Sequence, residues 1–240
     1  MNIFRDPISH TEVQSSSSSA KLNWLRASVL GANDGIVSVS AVIVGMAGAT
    51  NTKSLILTAG IAAVVAGALS MAVGEYVSVS AQRDTEKALL EKERIELETV
   101  PDQEQEELVV IYQKKGLSRK TAEIVAAEFT AHDAFAAHVD AELNIDPNDL
   151  TNPFHAAYAS GLAFLCGAVI PIIAVLVSPM SLEIPITFIA VVIALIITGT
   201  LSAHVGGAKK MRATLRVVIG GVIAMIVTFG IGKIFGVVGI

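Results

Sequence analysis

Residues 55–81 read LILTAGIAAVVAGALSMAVGEYVSVSA, and residues 82–99, which follow directly, read QRDTEKALLEKERIELET. The first stretch carries a single carboxylate, Glu75, and is longer than the ~20 residues needed to cross a hydrocarbon layer of ~30 Å. The second is charged and made almost entirely of strong helix formers. One chain therefore meets two solvents, lipid up to Ala81 and water from Arg83 onward. The whole sequence repeats this division. It has 240 residues, 52% of them apolar and only 16% charged, against roughly 25% charged in an ordinary soluble domain. Most of the acids fall between Gln82 and Asp149, and they account for the net charge of -5. An acidic block of this kind argues against a nucleic-acid partner, which calls for a basic face.

Windows of roughly 19 residues give four further apolar runs beside the one quoted, and five spans in all: residues 27–50, 55–81, 154–177, 184–205 and 217–240. Polar or turn residues separate them, among them Asn51-Thr52-Lys53, Asn152-Pro153, Ser178-Pro179 and Gly206-Gly207. Lys21 and Arg26 precede the first span, and Lys209, Lys210, Arg212 and Arg216 lie between the fourth and fifth, whereas the loops after the first and third offer only Lys53. The positive-inside rule then places the N-terminus and the acidic block in the cytoplasm and the C-terminus on the other side, with Lys233 able to snorkel to the interface. Residues 1–22 read as a disordered cytoplasmic tail with no signal-peptide core and a serine run over residues 15–19. The lone Cys166 excludes an internal disulfide and reads as a small packed or lipid-facing residue.

The expected fold is therefore an all-α membrane protein: transmembrane helices 1–2 over residues 23–81, an acidic cytoplasmic domain of three helices over residues 82–150, and transmembrane helices 3–5 over residues 151–240. Within the acidic domain, Pro101 ends a helix begun near Thr85, Gly116 stands at a helix C-terminus, and Ser118 caps a third helix predicted to run to Leu143.

Ionisable groups inside a span cost roughly 2.5–3.5 kcal/mol at mid-helix on insertion scales, which makes them candidates for function. Asp34 lies eight residues after Arg26, and Glu75 lies eight before Arg83 on a helix running the other way. At 1.5 Å per residue both sit ~12 Å in from the cytoplasmic side. Met71, four residues before Glu75, shares its helix face. Two carboxylates and a thioether suit a borderline ion such as Fe2+ or Mn2+ better than Mg2+, which prefers oxygen alone. Glycines crowd the same helices, Gly31, Gly35, Gly45 and Gly48 on the first and Gly60, Gly67 and Gly74 on the second, and such stripes allow close approach within a protomer or across a dimer axis. In the acidic block, Glu93 and Glu96 are three apart, as are Glu104 and Glu107 beyond the Pro101 break, so each pair shares a face. Glu128, Asp133, Asp140 and Glu142 add acids on the third helix, with His138 four residues before Glu142. Either a cation neutralises this density or it is a solvated acidic face salted with Lys87, Lys92 and Arg94. No Walker loop, dinucleotide fingerprint, zinc-protease motif or nucleophile elbow is present, so an enzyme is not expected.

Four segments carry a resemblance: LGANDGIVS at residues 30–38, AGALSMAVGEYVS at residues 66–78, KGLS at residues 115–118 and NPFHAA at residues 152–157. With them the chain resembles the vacuolar iron transporter family from about Trp24 onward. The resemblance implies a homodimer of five-helix protomers, an ion path at the dimer interface and a cytoplasmic metal-binding domain between helices 2 and 3. It implies export of Fe2+, and often Mn2+, from the cytosol, commonly in exchange for protons, with no tightly bound cofactor. By position, Asp34 and Met71 fall on the family's transmembrane metal site, Glu93, Glu96, Glu104 and Glu107 on its cytoplasmic carboxylates, and Glu142 on the acid closing the third helix. His138 stands where some plant members have methionine. The membrane would be vacuolar in a eukaryote and the inner membrane in a bacterium. A membrane protein that binds metal as a sensor or scaffold without moving it is the rival reading.

Overall fold

The computed structural model describes residues 17–238. Among these the chain forms seven α-helices and no strand: α1 (Ser17–Ala49), α2 (Lys53–Thr99), α3 (Pro101–Lys114), α4 (Arg119–His138), α5 (Pro153–Val177), α6 (Glu183–Val205) and α7 (Lys210–Val238). A π turn, Val139–Leu143, follows α4, and a 3-10 turn, Met180–Leu182, precedes α6. Five helices are long and apolar enough to cross a membrane, the counted spans being Ala27–Ala49, Lys53–Thr99, Pro153–Val177, Met180–His204 and Lys210–Gly236. The number agrees with the sequence reading; some of the bounds do not. α7 begins seven residues before the expected Val217 and takes Lys210, Arg212 and Arg216 into its first turns. Long basic side chains tolerate that position because they reach water from a helix end. The tail expected over residues 1–22 lies mostly outside the described residues, and α1 has begun by Ser17.

The boundary at Gln82 is a change of composition and not of structure. α2 continues through it for 47 residues, more than twice the ~20 needed for a span. No proline or glycine occurs between Gly74 and Pro101 to stop it. The stop comes at Val100, whose backbone (φ -136°, ψ 48°) has left the helical region, which is disfavoured for the residue before a proline.

The described residues divide into two compact units, one built on Asp84–Thr151 and the other on Asn23–Arg83 together with the residues from Asn152 onward. In the apolar unit, one buried cluster joins Val39 and Ile43 of α1, Ile56 and Ala68 of α2, and Phe164, Ala168 and Val175 of α5. A second joins Ile36 and Val44 of α1 to Val191, Ala194 and Leu195 of α6 and Met225 of α7. The glycine stripes answer the question their spacing left open. Gly31 and Gly35 lie against the backbone of α5 at Ser160 and Phe164, Gly67 against the Phe164 ring, and Gly45 and Gly48 against α7 at Thr228 and Phe229. These are contacts within one protomer. Gly74 alone in the two stripes has nothing within 4 Å of where a Cβ would stand.

The two kinds of glycine should respond differently to one added methyl. A Cβ at Gly35 would collide with the carbonyl oxygen of Phe164, a backbone atom with nowhere to move. Gly35→Ala should therefore lower the thermal midpoint of the detergent-solubilised protein by the equivalent of about 1–3 kcal/mol. Gly74→Ala should leave it unchanged or raise it slightly, since alanine is the better helix former by about 1 kcal/mol. Equal effects of the two changes would contradict the close approach of α1 and α5.

The acidic unit is built on an α3–α4 hairpin. Gly116, with φ +104°, closes α3 in a Schellman arrangement: Gly116 N–H donates to Gln113 O and Leu117 N–H to Tyr112 O. Ser118 caps α4 by accepting from Thr121 N–H. Arg119 grips Glu106 with two hydrogen bonds, 2.6 and 2.7 Å, and Glu123 with a third of 2.6 Å. All three side chains are about half exposed, so this fork fixes the register of the hairpin more than it adds stability. Between the helices Leu108 and Val109 pack on Ala122, Ala126 and Ala137. The third helix is not the single rod expected from Ser118 to Leu143. Asp133 leaves helical geometry (φ -160°, ψ 96°) and its Oδ1 accepts from Ala136 N–H at 2.9 Å, acting as the N-cap of a restarted helix.

Candidate metal centre

The restart at Asp133 controls what the end of α4 presents inward. Beyond it Ala137, His138 and Val139 are buried, and the backbone widens into the π turn that carries Glu142. Such turns are frequent at functional sites. From the other side come Glu93, on the charged C-terminal half of α2, and Glu104, in the first turn of α3; the Pro101 break is what folds one acid toward the other. Glu93 and Glu104 are 3% and 5% exposed and His138 is wholly buried, whereas carboxylates are almost never buried unless paired.

One ligand atom from each of Glu93, Glu104, His138 and Glu142 lies within 4.8 Å of the others. His138 Nδ1 is 3.0 Å from Glu93 Oε1 and 3.6 Å from Glu104 Oε2. Neither approach is a hydrogen bond. Glu93 Oε1 and both ring nitrogens of His138 make no hydrogen bond to the protein although all three are buried. Polar atoms in that condition are costly and call for a partner. A first-row divalent ion bound at roughly 2.0–2.2 Å spaces its ligands by at most roughly 4.4 Å, so a contraction of a few tenths of an ångström would close these four around one ion. Three carboxylates and an imidazole are the ligands of a borderline ion, not of one that demands oxygen alone.

The electrostatics agree with the geometry. Burial, then the charges of Glu142 and Glu104, push Glu93 up to about 7. Burial raises Glu104, with Glu107 adding to it, and burial raises Glu142 with Glu107 again next. Burial lowers His138, a shift Glu107 opposes in part. Near neutrality Glu93 is thus poised between its protonated and charged forms, Glu104 and Glu142 are shifted in the same direction, and His138 favours the neutral imidazole, a set from which a binding ion displaces protons.

Two of the six expected residues of this centre lie outside the group of four. Glu96 is paired with Lys92 at 2.9 Å, and Glu107 is exposed, acting on the centre through its charge. Of the additional acids, Asp133 is spent as a cap, and Glu128 and Asp140 are exposed.

In the apolar unit Asp34 is half-buried and its Oδ1 accepts a 2.5 Å hydrogen bond from Ser38 Oγ one turn along α1. Beside it, Asn33 Oδ1 is buried with no hydrogen-bonding partner. Met71 packs against the cluster of Val39, Ile43 and Phe164, and Glu75 is half-buried. Among the described residues no group of three or more acids, histidines or cysteines closes around them. Sequence reading missed one further buried acid, Glu183, 3% exposed, because it started the fourth span at Ile184.

Comparison with known proteins fits this arrangement. A family model described as VIT family matches residues 25–233. The chain is 43% identical to a vacuolar iron transporter of Acanthamoeba castellanii over 87% of its own length and 77% of that protein's. It is 35% identical to vacuolar iron transporter homolog 1 of Oryza sativa subsp. japonica, over 92% of the chain and 78% of the relative. It is 33% identical to vacuolar iron transporter homolog 2 of Arabidopsis thaliana, over 92% and 89%. A match across nearly all five spans and the acidic unit, at these identities and coverages, means that the chain belongs to the VIT family.

Proposed function

We propose that this protein carries divalent iron, and manganese with it, across a membrane and out of the cytosol, in exchange for protons. The observation that carries the reading is the convergence of Glu93, Glu104, His138 and Glu142, with buried ligand atoms that have no protein partner, in a chain with five membrane-length helices. The relatives' description as vacuolar iron transporters supports iron as the cargo. In this reading the acidic unit is a cytoplasmic domain that captures the ion, with Glu96 and Glu107 adding negative potential. The ion then passes Asp34 and Met71, with Glu75 on the same route or carrying protons. A homodimer fits the lightly packed face of α2, where Val73 and Val77 are exposed. The membrane is vacuolar where the cell has a vacuole and the inner membrane in a bacterium.

The test is uptake by proteoliposomes holding the full chain, with Fe2+ or Mn2+ outside and an acidic lumen. Accumulation of both ions, accelerated by the pH gradient and accompanied by alkalinisation of the lumen, is the expected result. Metal that binds to the protein but never enters the lumen would make it a sensor or scaffold.

A further inference from the structure

At the end of the membrane helices opposite Arg83 and Asn152, three helix termini meet. α2 begins at Lys53, α5 has ended at Val177, and α6 begins at Glu183. The Lys53 ammonium donates to Ser178 O at 2.9 Å and to Leu176 O at 3.1 Å, sitting where the C-terminal dipole of α5 favours a cation. Glu183 occupies the first turn of α6, where the opposite dipole favours an acid. That alone would account for an exposed, solvated glutamate. Glu183 is instead 3% exposed and its Oε1 makes no hydrogen bond to the protein. One turn along the same face, Thr187 is 1% exposed and its hydroxyl is likewise without a partner. Two orphaned buried oxygens at i and i+4 are an expensive arrangement to keep for packing alone.

We propose that Glu183, with Thr187 and Lys53, is a proton-binding site at the non-cytoplasmic mouth of the protein, through which the exchanged proton enters. The inference rests on the exchange reading above for the use of the site, and on the geometry alone for its existence. In the step itself, Glu183 carboxylate takes a proton from water on that side, an O–H bond forms, and the side chain goes from -1 to neutral. The protonated acid and the Thr187 hydroxyl, which are not bonded to each other in the structure, pair once one of the two side chains rotates. When the proton leaves inward to water, the carboxylate returns to its -1 charge and the same rotation lets it accept from the Thr187 hydroxyl. The charged surroundings are few. Lys53 on α2 is the neighbour whose charge acts on Glu183, Ser178 beyond α5 is neutral, and Lys233 of α7 lies over the Phe229 ring at 5.6 Å. No ion pair within 4.0 Å joins Lys53 to Glu183 among the described residues, so the acid is not locked in its charged form.

Two measurements on the full chain in lipid test this. Infrared difference spectra between about pH 5 and 8, the range in which a buried carboxyl can titrate, should show a protonated-carboxyl band that Glu183→Gln removes and Thr187→Val shifts. In proteoliposomes, Glu183→Gln should lose the acceleration of metal uptake by an acidic lumen while keeping uptake down a metal gradient. A band unchanged in both variants, or full acceleration in Glu183→Gln, would overturn the site. If Glu183→Gln fails to fold, the shift of the band in Thr187→Val decides alone. Absence of proton movement in the unmodified protein would instead overturn exchange as the function, and the infrared result would stand separately.

Discussion

Asp34→Asn should reduce metal transport to the background of empty liposomes, by on the order of a hundredfold, while the protein folds and still binds metal at Glu93, Glu104, His138 and Glu142. Asparagine matches aspartate in size and can still accept from Ser38 Oγ, which now reaches Asp34 Oδ1 at 2.5 Å, so the local structure of α1 is retained. What disappears is the negative charge. In a low-dielectric span a divalent ion that has shed part of its water has little else to compensate its charge, and a charge there is worth several kcal/mol. Met71→Leu should be milder. Leucine keeps the volume that packs against Val39, Ile43 and Phe164 but removes a polarizable sulfur, so Fe2+ transport should suffer more than Mn2+. Uptake by Asp34→Asn at the unmodified rate would move the path off α1 and make Glu75 the next residue to change.

What the sequence disclosed and what it withheld divide along physical lines. The five spans were legible because hydropathy over ~20 residues is a sum that no single contact can alter. The helix starts and stops were legible where one residue dictates the backbone, as at Pro101, Gly116, Ser118 and Asn152, whose side chain accepts from Phe154 N–H at 2.9 Å. The residues of the candidate metal centre were legible only in part. Spacing of three put Glu93 with Glu96 on one face and Glu104 with Glu107 on another, but it could not say which member of each pair turns inward. That choice is made by the Pro101 bend and by the Asp133 restart, where an acid that looked like a ligand serves as a cap. The glycine stripes show the same limit. Their spacing announced a close approach, and only the packed helices show that the partners are α5 and α7 of the same chain. Glu183 went unread for a different reason: its burial arises where α2, α5 and α6 meet, and no local pattern encodes that meeting.

His138→Leu separates metal binding from packing more sharply than any change to the carboxylates. Leucine fills most of the volume of the imidazole and removes two buried ring nitrogens that have no hydrogen-bonding partner. If His138 were only a core residue, that exchange would raise stability, since unpartnered polar atoms cost roughly 1–3 kcal/mol each. If it is a ligand, the metal-free protein should be as stable or more stable, yet its affinity for Fe2+ and Mn2+ should fall by at least about tenfold. The pH dependence gives an independent reading of the same centre. Glu93 is pushed up to about 7, chiefly by burial and then by Glu142, from the 4.5 that it has in an unfolded chain. A raised acid destabilises the metal-free fold as pH climbs from about 4.5 through 7, because the folded chain then surrenders a proton it holds more tightly than the unfolded one does. Bound metal takes the place of that proton. Metal should therefore raise the thermal midpoint most above pH 7, and its affinity should weaken roughly tenfold per pH unit, for one displaced proton, as pH falls below 7. Glu93→Gln should flatten that dependence and weaken binding together. Retained affinity and an unaltered pH profile in both His138→Leu and Glu93→Gln would mean that the four side chains form a charged core rather than a capture site.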